Sequence, residues 1–155
     1  MHGSDAIDTS VIPPAILASW QRSRDAKLNP AGEPQNKILT GDALEKLLDN
    51  NRLLIETSLP FLNRLFQSMK TSSFDVSLFD RNGYLLQVMQ DERYVDINSQ
   101  YKWYPGVLWS EECGGSNVVS SVLKQKKPVQ IIGPQHYLQW CHIVTGSGAP
   151  IIAPD

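Results

Sequence analysis

The most reactive groups of the chain are gathered in residues 109–117, which read WSEECGGSN. Gly114 and Gly115 are followed by Ser116, Asn117 and an apolar run, so backbone N–H groups at a helix start are available to an anion. The simpler interpretation, which we favour, is that Ser116 or Asn117 caps a helix after a tight turn. The pattern is not the GxGxxG of a phosphate loop, and we predict no nucleotide site there.

Four residues carry atoms that bind zinc or iron: Cys113, His136, Cys141 and His142. Their spacing matches no zinc finger or ribbon and two of them are adjacent, so we predict no metal site. Cys113 stands just before the predicted helix, a position that lowers a thiol pKa and is compatible with redox chemistry. We expect both cysteines to be free and idle, and the three histidines form no recognisable catalytic triad. No catalytic residue is predicted.

Aromatic side chains are unusually dense for a polar segment between residues 90 and 110. Such a segment can fold over a cavity as a lid, and aromatic walls with a few polar groups suit a small organic metabolite. The alternative is that these rings only pack against a sheet. The predicted ligand-binding residues are Tyr104, Trp109, Asn117, His136, Tyr137 and Trp140.

Composition restricts the class of protein that holds these groups. The chain has 155 residues, a formal net charge of −2 and 41% hydrophobic residues, as in an ordinary globular domain without a basic face for nucleic acid. Its apolar runs are too short for a membrane span, and no secretory signal opens the sequence. We therefore expect a cytoplasmic protein with no membrane contact.

Helical spacing dominates the first half of the sequence. A short amphipathic helix is predicted from about residue 14 to 27, followed by a linker at residues 29–34. Thr40 is the expected N-cap of one long helix that continues to Met69 with a kink near Pro60. Its apolar stripe, from Leu44 to Met69, is longer than one small sheet covers, so we predict a homodimer through these helices. The alternative is that the whole stripe is buried within one chain.

The period changes from 3.6 to 2 at Phe74, which predicts a strand. Asn82-Gly83 is a favoured hairpin turn because both residues tolerate positive φ, and residues 84–89 form the returning strand. Further elements are an irregular lid at 90–110, a helix from about 118, a strand at 129–132, a helical turn within 134–142 and a strand starting near Gly148. The fold class is α+β, an antiparallel sheet with flanking helices.

Two motif clusters, taken together, carry a family resemblance. The first is ILASWQRSR at residues 16–24; the second is WSEECGGSN at 109–117, followed by Pro128-Val129-Gln130 and His136-Tyr137. In this order and spacing they resemble the N-terminal sensory region of bacterial sigma-54-dependent transcriptional activators of the acetoin and glycerol catabolism type. The resemblance covers about residues 11–153.

The resemblance implies a GAF-like sensor domain at residues 37–155, preceded by an N-terminal helix and linker at 1–36, with the terminal strands of its sheet missing from this sequence. It also implies a small-molecule effector, no cofactor and no enzymatic activity. In the family, an AAA+ ATPase and a helix-turn-helix domain follow, and through these domains, absent here, the full-length protein would contact DNA and sigma-54 RNA polymerase.

Two departures from the family pattern bear on the site. The usual Gly-Thr-Asn is Gly115-Ser116-Asn117 here, which keeps a hydroxyl, and the usual Glu-His-Tyr is Gln135-His136-Tyr137, which removes a charge. Two alternative functions stay open. One is a thiol-dependent methionine sulfoxide reductase of the GAF type, and the other is a dimerisation module without a ligand.

Overall fold

The computed structural model describes residues 12–69 and 74–152. Across these residues, three helices precede a pair of strands, and three further helices precede a second pair of strands. The helices are α1 (Pro14–Asp25), α2 (Gly41–Asn50), α3 (Arg52–Ser68), α4 (Val95–Gln100), α5 (Glu111–Gly114) and α6 (Val118–Gln125). The strands are β1 (Val76–Phe79), β2 (Leu85–Met89), β3 (Val129–Ile132) and β4 (Thr145–Gly148).

The strands form two antiparallel pairs, β1 with β2 and β3 with β4, rather than one continuous sheet. An isolated bridge from Tyr84 to Leu108 joins the first hairpin to the loop before α5. A second bridge, from Ile38 to Val107, joins the same loop to the segment between α1 and α2, residues 26–40, which we call the N-terminal arm. Helix α3 packs on the β1–β2 hairpin, and α6 packs on the β3–β4 hairpin. The predicted α+β class is confirmed.

The turn between β1 and β2 is built around Asp80 rather than around two residues with positive φ. The buried Asp80 carboxylate accepts hydrogen bonds from the backbone N–H groups of Asn82 and Tyr84, at 2.9 and 2.8 Å. Gly83 has a φ of +94°, whereas Asn82 is not among the residues with positive φ. Only the glycine half of the Asn-Gly prediction is therefore correct, because the Asp80 side chain supplies the turn.

The predicted long helix is broken at Asn51 and not near Pro60. Asn51 ends α2 and begins α3 with φ −109° and ψ 11°, while Pro60 lies inside α3. The Asn51 side chain donates to the carbonyl of Leu47 at 2.8 Å, which satisfies an acceptor at the end of α2. Thr40 occupies the N-cap position of α2 but makes no side-chain capping bond.

Two strand and loop predictions also need correction. The segment at 90–110 is not wholly irregular, because it contains a 3-10 turn at Glu92–Tyr94 and helix α4. The last strand ends at Gly148, where we predicted that it begins. Its sequence, TGSG, has no apolar alternation because α6 lies directly against it: a Cβ on Gly146 would come within 2.7 Å of the Val118 side chain.

Candidate functional site

Asn117 is held by the helix that it begins. It is the N-cap of α6, where its side-chain oxygen accepts from the Ser120 backbone N–H at 3.0 Å, and the Ser120 hydroxyl lies 3.3 Å from the Asn117 backbone nitrogen in a capping box. Its amide also donates to the carbonyls of Trp109 and Gly115, at 3.2 and 2.8 Å. Asn117 therefore fixes the backbone beside Trp109, and the prediction that Ser116 or Asn117 caps this helix is confirmed for Asn117.

The two glycines before Asn117 make room for aromatic rings. A Cβ on Gly114 would lie 2.8 Å from the Trp109 ring, and one on Gly115 would lie 3.0 Å from the Tyr137 side chain. Gly115 also has a φ of +65°, which a residue with a side chain rarely adopts. Close packing against Trp109 and Tyr137 thus explains why both positions are glycine. A bound anion is not needed to explain them.

Trp109 lies at the centre of an aromatic cluster. Its ring is 5.3 Å from that of Trp103 in an edge-to-face arrangement, and Trp103 is 5.4 Å from Phe79. Tyr104 and Trp140 pack against the same buried core, which contains Val107, Trp109, Val119 and Cys141. The structure therefore brings together three of the predicted residues, Tyr104, Trp109 and Trp140.

Trp140 lies at the edge of this cluster, half-buried, with its ring 5.2 Å from that of Tyr101. Its indole nitrogen is buried and has no hydrogen-bond partner. Tyr101 follows helix α4 and covers this edge from the segment that we predicted to be a lid. Tyr101 was not among the predicted ligand-binding residues, although Tyr101 belongs to the same dense group of aromatic rings.

His136 is buried, with 5% of its surface exposed. Its Nδ1 donates to the Gly133 carbonyl at 2.9 Å, since a carbonyl oxygen can only accept. Burial lowers the pKa of His136 below its ordinary value of 6.5, a lowering to which nearby His142 adds, while the bond to Gly133 opposes it. The imidazole is therefore uncharged at neutral pH and does not offer a cation to a ligand.

Tyr137 points toward the N-terminal arm, where its hydroxyl donates to the Leu28 carbonyl at 3.1 Å. Its backbone N–H donates to the Ser116 carbonyl at 3.1 Å. The Ser116 hydroxyl itself is buried without a partner. Tyr137 thus connects the glycine-rich motif to the arm, and its hydroxyl is used within the chain.

Both cysteines are buried and free. Burial raises the pKa of the Cys141 thiol to about 11, so it stays protonated and poorly nucleophilic at neutral pH. Across residues 12–69 and 74–152, no group of three or more His, Cys, Asp or Glu side chains is arranged to hold a metal ion.

The N-terminal helix is fastened to the domain by polar contacts. Arg22 makes a bidentate ion pair with Glu111, at 2.6 and 2.9 Å, and the Ser19 hydroxyl donates to the same carboxylate. The Trp20 indole donates to the Gln135 carbonyl at 2.8 Å. The SWQR segment, residues 19–22, is therefore a packing surface, and it contacts both Glu111 and Gln135.

An open cleft of about 520 Å³ lies beside this ion pair. Its walls are Arg22 and Ala26 of α1, the turn and strand residues Asn82 and Tyr84, Lys124 of α6, and the segment around α5 that contains Leu108, Ser110, Glu111 and Glu112. None of the six predicted ligand-binding residues lines this cleft. The chain thus offers two candidate sites of different chemistry: a closed aromatic cluster and an open, charged cleft.

The sequence motifs, the two hairpins with their packed helices and the buried aromatic core define a small α+β domain. The chain belongs to the family described as the MimR N-terminal domain, whose model matches residues 2–155.

Several curated relatives are operon transcriptional activators. The chain is 27% identical over 149 residues to the acetoin dehydrogenase operon transcriptional activator AcoR of Bacillus subtilis, covering 96% of this chain and 25% of AcoR. It is 24% identical over 150 residues to the propane 2-monooxygenase operon transcriptional activator MimR of Mycolicibacterium goodii, covering 96% and 24%. The chain thus spans about a quarter of the length of these relatives.

A solved structure shows the same fold. It is described as the crystal structure of the E. coli DhaR(N)-DhaL complex, and its matching chain superposes with a TM-score of 0.79. The match has 15% sequence identity and covers 84% of this chain and 44% of that chain. Among residues 12–69 and 74–152, no helix is long and apolar enough to cross a membrane.

Proposed function

We propose that this chain is the effector-sensing domain of a sigma-54-dependent transcriptional activator. The observation that carries the proposal is the match of nearly the whole chain to one quarter of two operon activators, AcoR and MimR. A domain of this kind needs no chemistry. It needs only a ligand that binds one of its conformations more tightly than another.

We place the effector at the aromatic cluster. Tyr104, Trp109 and Trp140 supply its apolar walls. We also assign His136 to the effector, because its neutral imidazole can form a hydrogen bond with an uncharged molecule. Asn117 and Tyr137 act on the site indirectly: Asn117 holds the Trp109 backbone, and Tyr137 ties the glycine-rich motif to the arm. Entry of an effector requires the segment that carries Tyr101 to move away from Trp140.

The buried, protonated Cys141 argues against the thiol-dependent reductase, which needs a reactive thiolate. Regulation therefore passes through conformation, from the cluster to the helices and onward to an AAA+ ATPase and a helix-turn-helix domain that contact RNA polymerase and DNA in the cytoplasm.

The test of regulation uses the longer protein that carries this domain. Its ATP hydrolysis is measured with and without a metabolite extract of the source cells, beside a version lacking residues 1–155. We expect the extract to change the rate only when the domain is present. A rate that does not respond to the extract in either protein contradicts the proposal.

A homodimer is part of this proposal. On α3, Leu53, Phe61 and Leu65 are 77%, 75% and 48% exposed, and Met69, directly after the helix, is 41% exposed. Exposed apolar residues repeated along one helix are typical of a surface that meets another chain.

A second candidate function is recognition of a protein. The structural relative is described as a complex with a second protein, DhaL. In this chain, large aliphatic residues are exposed on and beside the β3–β4 hairpin: Ile132, Ile143, Val144, Ile151 and Ile152. A pull-down with a version carrying Ile143→Asp and Ile151→Asp tests this candidate, since loss of a captured protein supports it and unchanged capture excludes this surface.

A further inference from the structure

The four tryptophans of the chain differ in the use of their indole N–H groups. Trp20 donates to the Gln135 carbonyl at 2.8 Å. Trp103 donates to Asp75 and Ser77, at 3.1 and 3.0 Å, and Trp109 donates to the Lys102 carbonyl at 3.2 Å. Trp140 alone buries its indole nitrogen without an acceptor. Because a buried donor without an acceptor is costly, such a group points to a partner that the chain itself does not supply.

The position of Trp140 makes that partner a small molecule rather than another side chain. The ring packs against the core cluster on one side and meets the Tyr101 ring edge-to-face at 5.2 Å on the other. Trp140 is only half-buried, so a molecule can reach it from solvent once Tyr101 moves. Tyr101 follows a helix of only six residues, α4, which belongs to neither hairpin.

The walls around Trp140 also specify the charge of the molecule. The Trp140 side chain packs against a hydrophobic cluster on the core side and contacts the uncharged ring of Tyr101. The carboxylate nearest to the cluster through hydrogen bonds, Asp75, is already engaged by Trp103 and Ser77 and would repel an anion. Apolar walls do not offset the loss of hydration of a charged ligand, so an uncharged ligand is favoured beside Trp140.

We propose that the Trp140 indole N–H donates a hydrogen bond to the oxygen of a small uncharged ligand, whose apolar part lies between Trp140 and Tyr101. Ketones, alcohols and similar molecules with one accessible oxygen and a short apolar body are the class that fits. The inference rests on the proposed function, and it adds to that function the donor atom and the class of effector.

The experiment follows the four indole N–H signals of the nitrogen-15-labelled domain by nuclear magnetic resonance. 2-Butanone is the probe, and butyrate is the control of similar size that carries a charge. We expect 2-butanone to move the Trp140 signal more than those of Trp20, Trp103 and Trp109, with saturation, and butyrate to move none of them. A linear, unsaturated response of all four signals is non-specific solvation and would overturn the proposal.

Two variants distinguish the hydrogen bond of the Trp140 N–H from the apolar contact of its ring. Trp140→Phe keeps an aromatic ring but removes the N–H, and we expect it to weaken 2-butanone binding at least fivefold. Trp20→Phe is the matched control, since its indole lies on α1, and it should bind as the wild type does. If Trp140→Phe does not fold, the signal shifts of the wild type decide alone.

Failure of this inference is distinct from failure of the proposed function. Saturable binding of a metabolite that leaves the Trp140 signal in place would overturn the inference and leave effector sensing intact. Binding of butyrate in preference to 2-butanone would also overturn it. An ATPase that ignores every metabolite in the extract would overturn the proposed function itself.

Discussion

At the scale of single residues, neighbouring polar side chains of one motif have opposite energetic roles. Ser116 and Asn117 are both buried, but the Ser116 hydroxyl has no partner, whereas Asn117 serves the helix cap and two carbonyls. The sequence suggested either residue as the cap, since both types favour that position. Only the packing of the Gly114-Gly115 turn decides between them.

Substitution by alanine should therefore change the free energy of unfolding by different amounts at Asn117 and Ser116. Asn117→Ala should lower the free energy of unfolding by about 2 kcal/mol, because it removes a cap and leaves buried carbonyls without donors. Ser116→Ala should change it by less than about 0.5 kcal/mol, since no hydrogen bond is lost. Urea denaturation of both variants provides the measurement. A larger loss for Ser116→Ala than for Asn117→Ala would refute this assignment.

His136 predicts a dependence of stability on pH. Its folded pKa lies below the unfolded value of 6.5, so below that pH the unfolded chain binds more protons than the folded one. Stability should therefore fall as the pH drops from about 6.5 toward the lower, folded pKa, by at most about 1.4 kcal/mol per pH unit, and His136 should contribute no slope above that window.

The measurement compares thermal unfolding at pH 7.5 and pH 5.5. His136→Asn, which retains an amide donor for the Gly133 carbonyl, should reduce the difference in stability between the two pH values. His142→Asn is the control, and this variant should keep most of the difference in stability between pH 7.5 and pH 5.5. An unchanged difference in His136→Asn would show that another group is responsible.

At the scale of elements, periodicity predicted the existence of most helices and strands but not where they end. The β1 strand and α6 follow their apolar patterns, because each buries one face. The break at Asn51 was not visible, since the apolar stripe runs through it and only the bond from Asn51 to Leu47 marks the end of α2. Strand β4 shows no apolar alternation in the sequence, because its glycines leave room for the side chains of α6.

The contacts of α1 were equally hidden from local patterns. Arg22 and Glu111 are 89 positions apart in the sequence, and nothing in either segment indicates that they pair. Within the predicted site, the types of residue were informative, because dense aromatic side chains near one segment do gather in the fold. The capping role of Asn117 was predicted, but its bonds to the Trp109 and Gly115 carbonyls and the bond of Tyr137 to Leu28 were not predictable, since they depend on which backbone carbonyls lie nearby.

The ion pair predicts how α1 is held. Glu111→Gln should lower stability by about 1 kcal/mol, because the pair is bidentate but partly exposed, and should speed hydrogen exchange of the amides in α1. Glu112→Gln removes the neighbouring, exposed carboxylate and is the matched control. Hydrogen–deuterium exchange measured by mass spectrometry distinguishes the two. Equal exchange of α1 in both variants would mean that apolar packing alone holds the helix.

At the scale of the whole molecule, two surfaces remain that the described residues do not cover: the outer face of α3 and the β3–β4 hairpin. Large apolar side chains on a helix are a cost in water unless another chain covers them. Both surfaces are therefore where the proposed function places contacts with another chain.

If the chain is a homodimer through α3, a substitution on the exposed face of this helix should produce a folded monomer. Phe61→Glu should convert a dimer at micromolar concentration to a monomer, because Phe61 is 75% exposed in the single chain and its replacement removes no internal packing. Sedimentation equilibrium gives the mass, and circular dichroism confirms the helices. A 17.3 kDa species for the wild type, or a dimer unaffected by Phe61→Glu, would rule out this interface.

Capture of a small molecule by the domain tests the central claim most directly. The domain is equilibrated with a metabolite extract of the source cells, separated by gel filtration and analysed by mass spectrometry after denaturation. We predict that the wild type and Trp20→Phe retain one uncharged small molecule in stoichiometric amount, and that His136→Ala and Trp140→Ala lose most of it while remaining folded. Retention of no molecule by the wild type, or equal retention by all four proteins, would contradict an effector site at the aromatic cluster.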